Sequence, residues 1–254
     1  MGRRIGRRSS VKFGMEKIDT FLGKVENKKL LVVFPHPDDE SVMAGGLIRR
    51  AMELGFAVTV LTLTEGDRGK IFINGRGRSM SEIRRREMAI AMSRLGVADW
   101  IMWKFADGRL RKTSRWKERL KNFLNENIFG VIVSYDLSGI SGHPDHIALS
   151  REVIGYVRKN KSVELIWPSF VGKMRDRISD KRVEKYLGRP VFNLEMGLKE
   201  SFGKWRAAFA HQSQRLGGFV GRPWWVLIFT ARVEYYTRFD PDKKYKFKYF
   251  KFKI

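Results

Sequence analysis

Residues 32–41 read VVFPHPDDES: an apolar run that stops at a proline and passes directly into an imidazole and three carboxylates. The run belongs to KLLVVF, 29–34, whose unbroken Leu, Val and Phe character suits a strand buried on both faces, as in a parallel sheet. A helical pattern, SVMAGGLIRRAMELG at 41–55, takes over beyond the acids. The charged group therefore sits just past the carboxyl end of a buried strand. In open α/β sheets that edge is where ligands bind.

The same rhythm repeats downstream. AVTVLTLT (57–64), DWIMWKF (99–105), GVIVSYD (130–136) and VELIWP (163–168) read as strands. Helical patterns separate them: 80–96, with Ile83, Met88, Ala91, Met92 and Leu95 near helical spacing and Gly96 as a stop, then 114–127 and 146–160. Alternation of this kind predicts an α/β fold, a Rossmann-like doubly wound, mostly parallel sheet with helices on both faces. In the order 3-2-1-4-5 the first and fourth of these strands are neighbours, and the switch point lies between their carboxyl ends. After residue 170 a helix through 198–214 and a strand through WWVLIFTARVEYY, 224–236, are expected, giving extra C-terminal strands. Residues 1–28 read as a basic, partly disordered extension and 29–254 as one domain. The end, KKYKFKYFKFKI at 243–254, alternates Lys with aromatics and reads as a lysine-protected edge strand, or as a patch for an anionic surface.

Composition bounds the chemistry. The chain has 254 residues, 43% of them hydrophobic, enough for one substantial core. It has no cysteine, which excludes disulfides and thiolate-held metals. No apolar segment approaches the roughly 20 residues of a membrane span. No apolar stretch follows MGRRIGRRSS, so no signal peptide is expected and a cytoplasmic location is. The net charge of +24 calls for an anionic partner, whether substrate or the cytoplasmic face of a membrane, or serves solubility alone. There is no Walker loop or G-x-G-x-x-G for a nucleotide cofactor and no signature of specific nucleic-acid recognition. Homo-oligomerisation stays open.

Only four histidines occur, His36, His143, His146 and His211, and three of them fall in two short motifs, HPDDE and HPDH. Each motif follows a strand, the first and the fourth, so the sheet order brings them together. His36 and Asp39, three apart on entering a helix, share one side of its first turn and suit one metal ion. His146 supplies a third ligand, leaving an open position for water, the pattern of a catalytic Zn2+ site; Fe2+ or Co2+ also fit His and Asp. Asp38 then serves as the base, His143 as the oxyanion stabiliser, and Asp145 holds one of the imidazoles in its tautomer.

PHPDDE at 35–40 and GHPDH at 142–146 resemble the paired signature of the PIG-L/LmbE-like N-deacetylases, and the likeness runs over most of 29–236. TLTEGDRG, RRRE, LGV, KWRAAFAHQSQ and VEYYTR add to it. The resemblance implies a zinc hydrolase that removes acetyl from an N-acetylglucosaminyl compound, with His36, Asp39 and His146 as ligands, Asp38 as base, His143 on the tetrahedral intermediate and Asp145 as its orienting partner. It also implies Arg84 and Asp107 as substrate contacts, with His211 and Gln214 lining or bracing the pocket. The basic loop 65–79 departs from the family. Its Arg68, Lys70, Arg76 and Arg78 suit a phosphate on the substrate, hence a phosphorylated or lipid-linked sugar. Two rivals remain: an amidase of the same fold on another small amide, and a non-enzymatic polyanion binder.

Overall fold

A computed structural model of the chain describes residues 14–69, 72–73, 75, 77–172, 175, 187–214 and 223–243. In chain order these form β1 (Glu16–Lys17), α1 (Ile18–Gly23), β2 (Lys29–Phe34), α2 (Asp39–Glu53), β3 (Ala57–Thr64), α3 (Met80–Leu95) and β4 (Asp99–Phe105). A 3-10 turn at Leu110–Lys112 leads to α4 (Arg115–Glu126), β5 (Val131–Val133), the single turn α5 (Gly139–Gly142) and α6 (Pro144–Lys159). Then follow β6 (Glu164–Ser169), β7 (Phe192–Glu195), α7 (Leu198–Ala208), α8 (Trp224–Thr230) and β8 (Val233–Arg238).

The strands make one sheet in the order β1-β7-β8-β6-β5-β2-β3-β4. From β4 to β6 it is parallel and follows the predicted 3-2-1-4-5 order, with β2 paired to both β3 and β5. β8 is antiparallel to β6 and to β7. The lack of alternation in KLLVVF has a direct cause. Leu30, Val32 and Phe34 point into one apolar layer, Leu31 and Val33 into the other, and all five are fully buried. α3 is bounded by local chemistry at both ends: a Ser79–Glu82 capping box starts it, and Gly96 at φ 85° closes it.

Two expectations need correction. No boundary falls at residue 28: β1 pairs with β7, and Ile18, Phe21 and Leu22 of α1 are buried in the same core as β2. Residues 1–13 lie outside the described residues. WWVLIF is a helix, α8, rather than the start of a strand. A short apolar run does not declare its own period. Here α7 supplies the partners: Ser201 Oγ and Trp205 Nε1 donate to the carbonyls of Ile228 and Ala231, while Leu227 and Ile228 bury against Trp205 and Ala208. The Lys/aromatic end, 244–254, lies outside the described residues. Among the described residues no helix is long and apolar enough to cross a membrane.

Candidate active site

The turn after β2 and the start of α6 meet beyond the carboxyl ends of β2 and β5. His36 Nδ1 lies 3.2 Å from His146 Nε2, and Asp39 Oδ2 lies 3.6 Å from the first and 3.7 Å from the second. Three donors at the corners of a tetrahedron with bonds of 2.0–2.2 Å stand about 3.3–3.5 Å apart, so this triplet fits a metal such as Zn2+ with little adjustment. The lone pairs are directed by outer partners. Tyr135 donates to Asp39 Oδ1 at 2.5 Å, leaving Oδ2, which takes a long 3.3 Å bond from the His36 N–H, to face the imidazoles. His146 Nδ1 is 3.1 Å from the Gly139 carbonyl, so it carries the proton and Nε2 is the free acceptor. The Tyr135 ring stacks on that of His146, centroids 4.1 Å apart and 9° from parallel.

The electrostatics agree with a cation site. Burial acts to lower the His36 pKa, but Asp107, Asp145 and Asp39 outweigh it and hold it well above the usual value. Burial pushes His146 down to about 3. With no metal bound, the raised His36 pKa favours a charged ring whose Nδ1 faces His146 Nε2. Burial also acts to raise Asp39, yet His146 and His36 keep it depressed and ionised.

Asp38 stands beside the triplet as N-cap of α2, at φ 104°, and its side chain makes no capping bond. Burial, opposed by Arg84, lifts its carboxyl to about 6. His143 is the N-cap of α6 and accepts on Nδ1 from the Asp145 N–H at 3.3 Å, which leaves Nε2 to carry the proton of the neutral ring. Burial, reinforced by His36, lowers its pKa, so it is a neutral donor rather than an imidazolium. Its ring centroid is 4.8 Å from those of His36 and of His146.

The other residues singled out in the sequence lie around this centre or on the loops beside it. The Asp145 carboxylate accepts from the Gly108 and Leu110 N–H groups and comes within 3.5 Å of His36 Nε2; its link to His143 runs through its backbone. Asp107, expected against the sugar, lies 3.0 Å from His36 Nε2 and also accepts from the Arg68 N–H. Arg84 is buried, its Nη2 donating to the Pro37 carbonyl and, at 3.1 Å, to Asp38 Oδ2. His211 is buried 3.2 Å from Glu40. Gln214 donates to Ser213, whose N–H and hydroxyl are held by Glu87. The Arg68 guanidinium is exposed and reaches over Gly108, where a Cβ would lie 3.2 Å from its Nη1. Lys70 and Arg76 lie outside the described residues, and Arg78 is exposed. Tyr135, just past β5 in VSYD, and the bracing role of Glu40, within HPDDE itself, were not read from the sequence.

Comparison with known proteins follows the same lines. The family described as PIG-L, GlcNAc-PI de-N-acetylase, matches residues 31–157. The chain is similar to a probable N-acetyl-alpha-D-glucosaminyl L-malate deacetylase 2 of Bacillus cereus, 31% identical over 196 residues that cover 74% of this chain and 84% of that protein. It is 30% identical over 151 residues to a 1D-myo-inositol 2-acetamido-2-deoxy-alpha-D-glucopyranoside deacetylase of Geodermatophilus obscurus, covering 49% of this chain and 51% of that protein. Relatives of the inositol type are thus matched over about half their length. The fold is shared with the N,N'-diacetylchitobiose deacetylase of Pyrococcus horikoshii, at TM-score 0.65 and 18% identity over 85% of each chain.

Proposed function

The chain belongs to the PIG-L (GlcNAc-PI de-N-acetylase) family and is an N-deacetylase of an N-acetylglucosamine-containing substrate, and we propose that it works through a zinc ion held by His36, Asp39 and His146. The observation that carries this reading is the donor triplet, 3.2–3.7 Å apart, with the Asp38 carboxyl, its pKa raised and its Oδ2 held by Arg84, at its side. A zinc ion bound there supplies an acidified water and a polarised carbonyl.

The chain's own groups do the rest. Asp38 takes the proton of the attacking water, and its raised affinity for protons suits that task; a cation next to it draws the pKa back down and keeps the base ionised. His143 offers its Nε2–H to the oxygen of the former acetyl carbonyl as charge gathers there. Asp38 then returns the proton to the sugar nitrogen, the C–N bond breaks, and the free amine and acetate leave. Asp107 and Asp145 hold His36 from its far side, and Tyr135 holds Asp39. At the mouth, the exposed guanidinium of Arg68 suits a carboxylate or phosphate on the sugar's conjugate.

The test is metal analysis of the purified protein joined to acetate release from N-acetylglucosamine and from its malate, inositol and lipid-linked conjugates. Stoichiometric zinc and release from an anionic conjugate are expected. Full activity after exhaustive chelation would count against the metal, and zinc-loaded protein that releases acetate from none of these would count against the substrate class.

A further inference from the structure

We propose that Glu40 and His211 are positioning residues which, together with Arg84, clamp the Pro37–Asp38 peptide in an orientation that it would not keep unaided. The proposal takes Asp38 as the proton acceptor of the reading above.

Asp38 has φ 104° and ψ −32°, a conformation that a residue with a Cβ rarely adopts and that costs conformational energy. Turning the single peptide between residues 37 and 38 over by half a revolution would bring φ to about −76°, an ordinary helical value beside the existing ψ. Something must therefore prevent that turn. Both ends of this one peptide are gripped. Its carbonyl accepts from Arg84 Nη2, and its N–H donates to Glu40 Oε2 at 3.1 Å. After the turn, the carbonyl oxygen would face the Glu40 carboxylate and the N–H would face the Arg84 cation, so both contacts would become repulsive. Arg84 and Glu40 are buried, so water offers neither group a replacement partner.

The grip is itself supported from behind. Glu40 Oε1 accepts from Ser41 Oγ at 2.6 Å and lies 3.2 Å from His211 Nε2. His211 Nδ1 has no hydrogen-bond partner among the described residues, so Glu40 is the one polar contact the ring makes there. On the other side Arg84 lies against Gly66, at φ 62°, where a Cβ would stand 2.7 Å from Cζ. The same Nη2 that holds the peptide also reaches Asp38 Oδ2, so the peptide and the carboxylate are aimed by one group. The Asp38 carbonyl still accepts the Val42 N–H at 3.0 Å. Helix α2 thus begins normally while its N-cap side chain is kept off the helix's own N–H groups, where an N-cap aspartate would ordinarily turn.

The experiment compares Glu40→Ala, Glu40→Gln and His211→Ala with the zinc-loaded parent, reading kcat, KM, zinc content and a crystal structure of Glu40→Ala. A misplaced base predicts a kcat loss of about a hundredfold for Glu40→Ala, with KM and zinc content little changed. Glu40→Gln, which keeps an acceptor oxygen, recovers at least a tenth of parental kcat, and His211→Ala falls between. In the Glu40→Ala structure residue 38 turns to negative φ. A positive φ retained at residue 38 in that variant overturns the clamp, and this readout holds even if no acetate-releasing substrate is found. Variants that lose thermal stability but keep kcat within threefold overturn it as well, since they would make the pair a structural brace only.

Discussion

Removal of the Glu234 carboxylate should cost far more than removal of the lysine paired with it. Glu234 is buried at the start of β8 and accepts four bonds: from the N–H groups of Gly46 and Leu47 at 2.8 and 2.9 Å, from Lys204 Nζ at 2.7 Å and from the Tyr236 hydroxyl at 2.5 Å. Two of these donors are backbone groups inside α2, reachable because residues 45 and 46 are glycines. A Cβ on Gly46 would lie 2.9 Å from the Glu234 Cδ, and one on Gly45 2.9 Å from the Lys204 Cγ. Glu234→Ala strands a buried ammonium, worth about 3–5 kcal/mol. It also takes one acceptor from each of two α2 N–H groups, at about 0.5–1.5 kcal/mol for each hydrogen bond lost. Lys204→Met, by contrast, leaves a carboxylate that still accepts three bonds, and about 1–3 kcal/mol is expected for the lost charge-assisted bond. In a domain of this size a kilocalorie moves Tm by about 2–4 °C, so Glu234→Ala should lower Tm by about 10 °C or more and Lys204→Met by less than half of that. The assay is urea and thermal unfolding followed by circular dichroism, with both variants at the same metal loading. The double variant should remain below Lys204→Met alone, because the bonds that the carboxylate takes from Gly46, Leu47 and Tyr236 are lost whether or not the ammonium is present. Equal costs for the two single variants, or a double variant as stable as Lys204→Met, would falsify the claim that the carboxylate serves α2 more than the lysine.

Asp38→Asn should retain zinc and lose about 10²–10⁴ in kcat in the acetate-release assay, and near-parental turnover would remove Asp38 from the base role. Tyr135→Phe deletes the donor that fixes Asp39 and should weaken zinc about 10–100-fold in chelator competition. An unchanged affinity would show that the aspartate is oriented by other means. The metal-free protein should lose stability in acid partly through Asp107. Burial acts to raise that carboxyl, but His36 and the Arg68 N–H outweigh it and hold it at about 2. Since its unfolded value is near 3.9, the contribution is complete above about pH 4 and disappears as the pH falls toward 2. Asp107→Asn should flatten that part of a denaturation-versus-pH curve, and an unaltered slope would assign the acid sensitivity to other groups.

The order of the five parallel strands β2 to β6 was legible because it rests on local signals. Each buried strand announces itself by an apolar run of five to eight residues, and right-handed crossovers leave few ways to order them. The convergence of His36, Asp39 and His146 was legible for a related reason, since two motifs fixed to strand ends inherit their proximity from the strands. Its bracing was not. Glu40 meets His211 at a separation of 171 residues and Gly46 meets Glu234 at 188, contacts that no periodicity encodes. Asp107 shows what local geometry adds to a motif. Gly108 at φ 69° follows it, Asp145 pins the N–H groups of Gly108 and Leu110, and the Asp107 carboxylate is set against His36. Arg84 is similar: an arginine on an outwardly polar helix is directed inward by the space that Gly66 leaves. α8 misled because six consecutive apolar residues carry no period of their own, and its helical state is decided by what α7 offers.

His36 has carboxylates on both sides, and this raises the question of where a cation would go. Nε2 faces Asp107 and Asp145, and these three offer one atom each within 4.8 Å of one another, a grouping that by distance alone is a second metal candidate. Their donor capacity argues otherwise. Both oxygens of Asp145 are engaged by backbone N–H groups, and Oδ2 of Asp107 by that of Arg68. A metal on that side would have to compete with three bonds that shape the loop from 107 to 110. On the Nδ1 side, among the described residues, His146 Nε2 makes no hydrogen bond except to His36, and Asp39 Oδ2 has one long bond to give up. The two sides then divide the work. The carboxylates on Nε2 favour a proton on that nitrogen, which turns the Nδ1 lone pair toward Asp39 and His146 and makes it a stronger ligand. Asp107 and Asp145 would thus serve a metal bound on the Nδ1 side by remaining off it, and replacing either with Asn should weaken zinc binding without removing a ligand.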